Sequence, residues 1–147
     1  MTFDYQLDFA QQNMRVSGTV LDYGGFGMAF DTCVDATAFT GIQFDLWGTS
    51  SSTVFQIQTS EDQNMDYGDP KATCDTAVSG ECAIPQARIQ AVSETQTTVQ
   101  LPFADFSGGV PVPTVSTNQL IGLQWQFECG AAEGCPVDVR IDNVTFY

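Results

Sequence analysis

Two stretches of the sequence decide the fold: Ile42-Gln43-Phe44-Asp45-Leu46-Trp47 and Leu123-Gln124-Trp125-Gln126-Phe127-Glu128. Apolar and polar side chains alternate strictly in both, as expected for a β-strand that buries one face. The same period of two recurs in the segments 3–9, 14–20, 26–30, 55–58, 87–92, 97–103 and 137–141. Turns rich in Gly, Ser, Asp and Pro separate them. Eight or nine short strands of this kind predict an all-β sandwich or barrel. Because no repeat or linker divides the chain, we predict a single β-sandwich domain over residues 1–147.

The charge of the chain restricts its partners. Four basic residues stand against eighteen acidic ones, giving a net charge of −14. Such a field repels a phosphate backbone, and no basic stripe is present to release counterions. Nucleic acid and anionic membrane are therefore poor candidates, whereas neutral molecules and cations such as calcium fit.

The five cysteines indicate disulfides and an oxidising compartment. Short local bridges would join Cys74 to Cys82 and Cys129 to Cys135 and leave Cys33 over; the alternative links Cys33 to Cys129 or Cys135. No CxxC motif and no histidine occur, which argues against a zinc site or a redox dithiol. Residues 1–20 lack the apolar core of a signal peptide, so we expect a secreted protein whose leader was removed, or an excised domain.

The polar side chains of the strands form the most informative pattern. With the hydrophobic residues turned inward, three strands present glutamines, two carboxylates and one tryptophan outward: Gln43, Asp45, Trp47, Gln56, Gln58, Gln124, Gln126 and Glu128. Amides and carboxylates match sugar hydroxyls, and a flat indole matches the C–H face of a sugar ring. Trp125 has the opposite parity and is expected in the core. The pattern predicts a sugar-binding face, although it is also compatible with an ordinary polar sheet surface.

The long polar stretch from about Thr59 to Ala83 is expected to be ordered, because it contains Cys74 and Cys82. Tyr67 in this stretch is a second aromatic residue that is available to stack on a ligand. Asp62, Asn64 and Asp66 have the i, i+2, i+4 oxygen spacing of a calcium loop, but the later EF-hand positions do not match. A solvated acidic loop is the alternative.

Catalysis has little support in the residues. Without histidine, a Ser-His-Asp or Cys-His device is excluded. A glycosidase-type carboxylate pair could be formed by Asp45 and Glu128, if their strands are neighbours.

Two regions of the chain resemble a known family. The first comprises Tyr23–Phe30, Cys33-Val34-Asp35 and Thr40–Phe44; the second runs from Leu120 to Phe127 and then from Val137 to Tyr147. Together they are similar to the jelly-roll, galactose-binding-like carbohydrate-binding modules of secreted polysaccharide-degrading enzymes. The closing stretch Ile141-Asp142-Asn143-Val144-Thr145-Phe146-Tyr147 is the most typical element. The resemblance covers about residues 14–147.

The resemblance implies two facing antiparallel sheets, one of them concave and lined for a β-glucan chain. It also implies a structural calcium ion held in part by Asp142. The family's second acidic ligand comes from an Asp-x-Phe-Glu segment, where this chain has Leu7-Asp8-Phe9-Ala10, so that Asp8 would be a substitute.

We therefore predict a non-catalytic jelly-roll module that binds a neutral polysaccharide of the β-glucan type and is appended to a catalytic domain. In this prediction Trp47 stacks on a sugar ring, the outward amides and carboxylates bind hydroxyls, and Tyr67 closes one end. The alternatives are a structural or adhesive module without a sugar site, and a small glycoside hydrolase that uses Asp45 and Glu128.

Overall fold

The computed structural model describes the backbone of residues 2–8 and all atoms of residues 11–90 and 92–147. The described part contains nine strands, in agreement with the eight or nine predicted: β1 (Thr2–Asp8), β2 (Asn13–Val20), β3 (Tyr23–Val34), β4 (Gly41–Thr49), β5 (Ser52–Thr59), β6 (Gln86–Ile89), β7 (Thr97–Pro102), β8 (Leu120–Glu128) and β9 (Cys135–Phe146). Helical segments are short: 3₁₀ turns at Met65–Tyr67 and Phe103–Asp105, and a one-turn helix α1 at Thr76–Ser79.

The strands form two antiparallel sheets that face each other. Sheet A has the order β1-β2-β9-β4-β7, and sheet B has the order β3-β8-β5-β6. Most neighbours in a sheet are distant in sequence; β4, for example, pairs with β9 and β7. This is an all-β sandwich with jelly-roll connections, as predicted.

The core between the sheets is centred on three aromatic rings. Phe44 of sheet A lies 5.2 Å from Trp125 and 4.9 Å from Phe55, ring centroid to ring centroid, and the latter two belong to sheet B. Trp125 is completely buried, which confirms the parity argument that placed it in the core. Because aromatic pairs of this kind add about 1 kcal/mol each beyond area burial, the three rings hold the sheets together.

The disulfides follow the local pairing. Cys74 bonds to Cys82 and Cys129 to Cys135, while Cys33 is free and exposed. The long stretch after β5 is ordered, as expected: it contains the Met65–Tyr67 turn, helix α1 and a backbone bridge between Asn64 and Cys74. Among the helices of the described residues, none has the length and apolar character needed to cross a bilayer.

Candidate functional site

The outward-facing residues predicted from the sequence are divided between two faces. Gln43, Asp45 and Trp47 lie on β4 in sheet A, whereas the other strand residues of the set lie on β5 and β8 in sheet B. Since the two sheets pack through their inner faces, their outer faces look in opposite directions. The prediction that all of these side chains line one groove is therefore wrong. Parity gives the side of a sheet on which a residue lies, but it does not tell which sheet the strand joins.

On sheet A, the polar groups of Gln43 and Asp45 already form hydrogen bonds to neighbouring side chains. The carboxylate of Asp45 accepts hydrogen bonds from Thr98 Oγ1 at 2.7 Å, Gln96 Nε2 at 2.8 Å and Asn143 Nδ2 at 2.9 Å. These bonds, that of Thr98 foremost, lower the pKa of Asp45. Gln43 accepts from Gln100 Nε2 at 2.8 Å.

Trp47 is half-buried on this same face, where it lies opposite Arg140 of β9. Its side chain is neither fully buried nor fully exposed, and its stacking role stays a prediction. The hydrolytic pair considered above is also ruled out by the topology, because Asp45 and Glu128 lie on opposite outer faces.

The outer face of sheet B carries a continuous layer of amides. Gln56 and Gln124 are direct partners in the β5–β8 register, and Gln86 of β6 is the partner of Gln56 on the other side. Gln58 Nε2 donates to Gln124 Oε1 at 3.3 Å, and Gln56 Nε2 donates to Gln86 Oε1 at 3.3 Å. We call this layer the glutamine floor; its members are Gln56, Gln58, Gln86, Gln124 and Gln126.

Strand β3 borders the floor with small residues. Gly25, Gly27 and Ala29 are exposed and lie opposite Gln126, Gln124 and Gly122 of β8. Since the side chains of these three residues are at most a methyl group, they do not rise above the amides. Gly122 has a related role, because a Cβ at this position would lie 2.2 Å from Gln58 Oε1. Small residues therefore keep the floor low and open.

One end of the floor carries a tyrosine and an ion pair. Tyr23, which is 65% exposed, lies opposite Glu128 in the β3–β8 register. Arg88 Nη1 donates to Glu128 Oε2 at 3.2 Å and to Ser52 Oγ at 2.6 Å, and Gln126 Nε2 lies 3.5 Å from Glu128 Oε1. A cavity of ≈ 450 Å³ lies here between Tyr23, Ser52 and Glu128.

The opposite end of the floor is bordered by the long loop and Tyr67, whose side chain is 77% exposed. A second cavity, of ≈ 310 Å³, lies between Tyr67 and the floor residues Gln56 and Gln86. Tyr67 thus lies at one end of the floor. From Tyr23 to Ala29 along β3 the face extends for about 20 Å at the usual rise of a strand.

Three residues of this face, Tyr23, Gln86 and Arg88, are absent from the set predicted from the sequence. Tyr23 shares the parity of Gly25 and Gly27, opposite to that of Phe26, so the alternation itself was a usable signal. Gln86 and Arg88 likewise alternate with the buried Ala87 and Ile89. For all three, the period of two already contained the information.

The calcium spacing in the loop does not converge on a site. Asp62 is fully buried, and its carboxylate accepts from Val112 N at 2.8 Å and Thr59 Oγ1 at 3.2 Å. Burial raises the pKa of Asp62. Asn64 Oδ1 accepts from Asp66 N, which caps the following turn. The expectation of a solvated loop is wrong for Asp62, whose role is to fix the loop to residue 112.

The calcium site implied by the family resemblance is not assembled from the described side chains. Asp142 Oδ1 accepts from the backbone N of Asn143 at 2.7 Å. Asp8 ends β1, but its side chain lies outside the described residues. No group of three acidic, histidine or cysteine side chains that could hold a metal occurs in the part described. Calcium binding stays a prediction.

Comparison with known proteins identifies solved structures that share this fold. No protein-family model and no curated protein matches the sequence. Among solved structures, the chain is similar to the family 11 carbohydrate-binding module of the cellulosomal cellulase Lic26A-Cel5E of Clostridium thermocellum. The TM-score is 0.65 at 14% identity, over 99% of this chain and 79% of that one. The chain therefore shares the jelly-roll fold of this module.

Two further structures share this fold. A family 11 module from Clostridium thermocellum in complex with a β-1,3-1,4-mixed-linked tetrasaccharide matches with a TM-score of 0.66 at 14% identity, over 99% of this chain and 81% of that chain. An agarase matches with a TM-score of 0.65 at 7% identity, again over 99% of this chain but over only 23% of its own. The jelly roll found here therefore also occurs as a minor part of a much longer chain.

Proposed function

We propose that this protein is a non-catalytic module that binds a neutral polysaccharide of the β-glucan type on the outer face of sheet B. The glutamine floor is the observation that carries the proposal. Each amide offers both a donor and an acceptor, as adjacent sugar hydroxyls require, and none of them carries charge. Tyr23 and Tyr67 at the two ends of the floor provide exposed rings for stacking on the C–H faces of sugars.

The width and polarity of the face support a chain-like, neutral ligand. The floor is long, open along β3 and lined by side chains that already bind one another weakly, at 3.3 Å, so that sugar hydroxyls can replace those bonds at small cost. Its only cation in the described part, Arg88, is neutralised by Glu128. A polyanionic glycan would meet no free positive charge here, and the net charge of −14 would repel it.

The proposal extends to the setting of the module. We propose that residues 1–147 form one domain, that the domain acts outside the cell and that it is joined to a catalytic domain in the full-length protein. The two disulfides support the location. The resemblance of the fold to a quarter of an agarase supports the attachment.

Native gel electrophoresis with and without polysaccharide in the gel tests the function. We expect mixed-linkage β-glucan to retard the wild-type chain, and Tyr23→Ala to reduce the retardation while the melting temperature stays unchanged, because the ring is exposed. Incubation with the same glucan should release no new reducing ends. If no glycan of a broad panel retards the wild-type chain, the structural or adhesive alternative takes the place of this proposal.

A further inference from the structure

We propose that the cavity beside Tyr67 is a separate subsite, which holds one additional sugar unit at one end of the bound glycan segment. This inference rests on the proposed function, because the unit enters the cavity only if its neighbours lie on the glutamine floor. The cavity of ≈ 310 Å³ shares Gln56 and Gln86 with the floor. A chain lying on these two amides therefore reaches the cavity without leaving the protein surface.

The walls of the cavity are fixed before any ligand arrives. Two segments contribute to these walls: Gln63, Asn64 and Tyr67 in the first, and residues 82–84 in the second. Cys74 connects them: its backbone N donates to Gln63 O at 3.1 Å, its O accepts from Met65 N at 3.0 Å, and its sulfur is bonded to Cys82. Because the walls are ordered in advance, little conformational entropy is lost on binding.

The lining residues Asp62 and Gly108 are held in place as well. Buried Asp62 spends both carboxylate oxygens on Thr59 and on the backbone N of Val112. Gly109 lies beside it, and a Cβ there would lie 2.0 Å from Val112 O. The loop that carries Gly108 at the edge of the cavity is thus packed too closely for a side chain at the next position.

Gln63 is the residue that indicates a ligand in this cavity. Its side chain lines the cavity and is 8% exposed, yet its Oε1 has no hydrogen-bond donor within the described structure. A buried acceptor without a partner costs about 1–3 kcal/mol. If the terminal amide turns toward the cavity, a sugar hydroxyl can donate to this oxygen. Tyr67 at the rim can cover the same sugar ring, since most of its own ring is exposed.

A length series of β-1,3-1,4-linked oligosaccharides tests the subsite by titration calorimetry. For the wild-type chain, affinity should rise with each added unit until the segment fills the cavity. In Gln63→Met and Tyr67→Ala, the last step of this rise should disappear, a loss of about threefold to tenfold for the longest oligosaccharides. Affinity for the shorter ones should be unchanged. Val78→Ala, at a position that is 86% exposed and outside this cavity, is the matched loop control and should behave as wild type.

The melting temperature separates a binding role of Gln63 from a structural one. Gln63→Met removes an unpaired buried acceptor and keeps the volume, so the variant should melt at the wild-type temperature or above it. The inference is wrong if both variants retain the last step of the length series, or if they weaken all lengths equally. If the wild-type chain binds no length at all, the proposed function itself fails, and the subsite fails with it.

Discussion

Replacement of Gln124 by alanine gives the sharpest test of the glutamine floor, because the chain contains a matched control. Gln124 lies at the centre of the floor and accepts from Gln58 Nε2 at 3.3 Å. Gln43 lies on the outer face of sheet A and accepts from Gln100 Nε2 at 2.8 Å. Both residues are half-buried, and each is hydrogen-bonded to a glutamine on the neighbouring strand. Each also lies on the outward-facing side of its own strand. They differ in the face on which they lie.

The expected magnitudes follow from these contacts. Either truncation leaves its partner amide open to water, so the free energy of unfolding should fall by no more than about 1 kcal/mol in both variants. For glycan binding, Gln124→Ala removes one donor and one acceptor from the middle of the floor. At about 1 kcal/mol per hydrogen bond, this loss amounts to about 2 kcal/mol, or roughly a thirtyfold rise in Kd. Gln43→Ala should leave Kd unchanged.

Titration calorimetry with a mixed-linkage β-glucan, combined with thermal melts of both variants, measures these quantities. A Gln43→Ala variant that weakens binding as much as Gln124→Ala would show that the face of sheet B has no special role. A Gln124→Ala variant with wild-type affinity would contradict the reasoning directly.

Three further outcomes are expected. Trp47→Ala should leave glycan retardation on native gels intact but lower the melting temperature, because the half-buried indole packs on sheet A; lost retardation in a folded variant would move the site to that face. Asp62→Asn should gain stability relative to wild type as the pH rises. Burial raises the pKa of Asp62 above 3.8, so that its contribution is present below that pH and is lost as the pH rises through the raised pKa. A difference between the two melting curves that does not change with pH would contradict this. If Asp142 and Asp8 hold calcium, a chelator should lower the melting temperature of the wild-type chain, and an unchanged midpoint would exclude a structural ion.

The period of two in the sequence was sufficient to predict the strands, the buried position of Trp125 and the polar faces. It was not sufficient to predict the binding surface, because surface membership depends on hydrogen-bond pairing between distant segments. β4 and β8 have equivalent alternation, yet β4 pairs with β9 and β7 whereas β8 pairs with β3 and β5. The residues within either strand do not show which strands it pairs with.

The loop after β5 shows a second limit of the sequence. Its acidic composition predicted exposure, and about half of its residues are exposed, but Asp62 is buried against the loop around Val112. One of the two partners of that carboxylate is a backbone N–H fifty residues away in the chain. Residue types do not show where a backbone N–H will donate. A buried carboxylate that accepts a hydrogen bond from such a group therefore cannot be predicted before the fold is known.

An amide neither gains nor loses a proton under ordinary aqueous conditions, and it is not surrounded by a counterion cloud. Apart from the Arg88–Glu128 ion pair at one end, a contact surface made of five glutamines, with tyrosine rings at its borders, carries no charge that acid or salt can alter. Binding through this surface should therefore be as strong at acidic pH or high ionic strength as at neutral pH and low ionic strength.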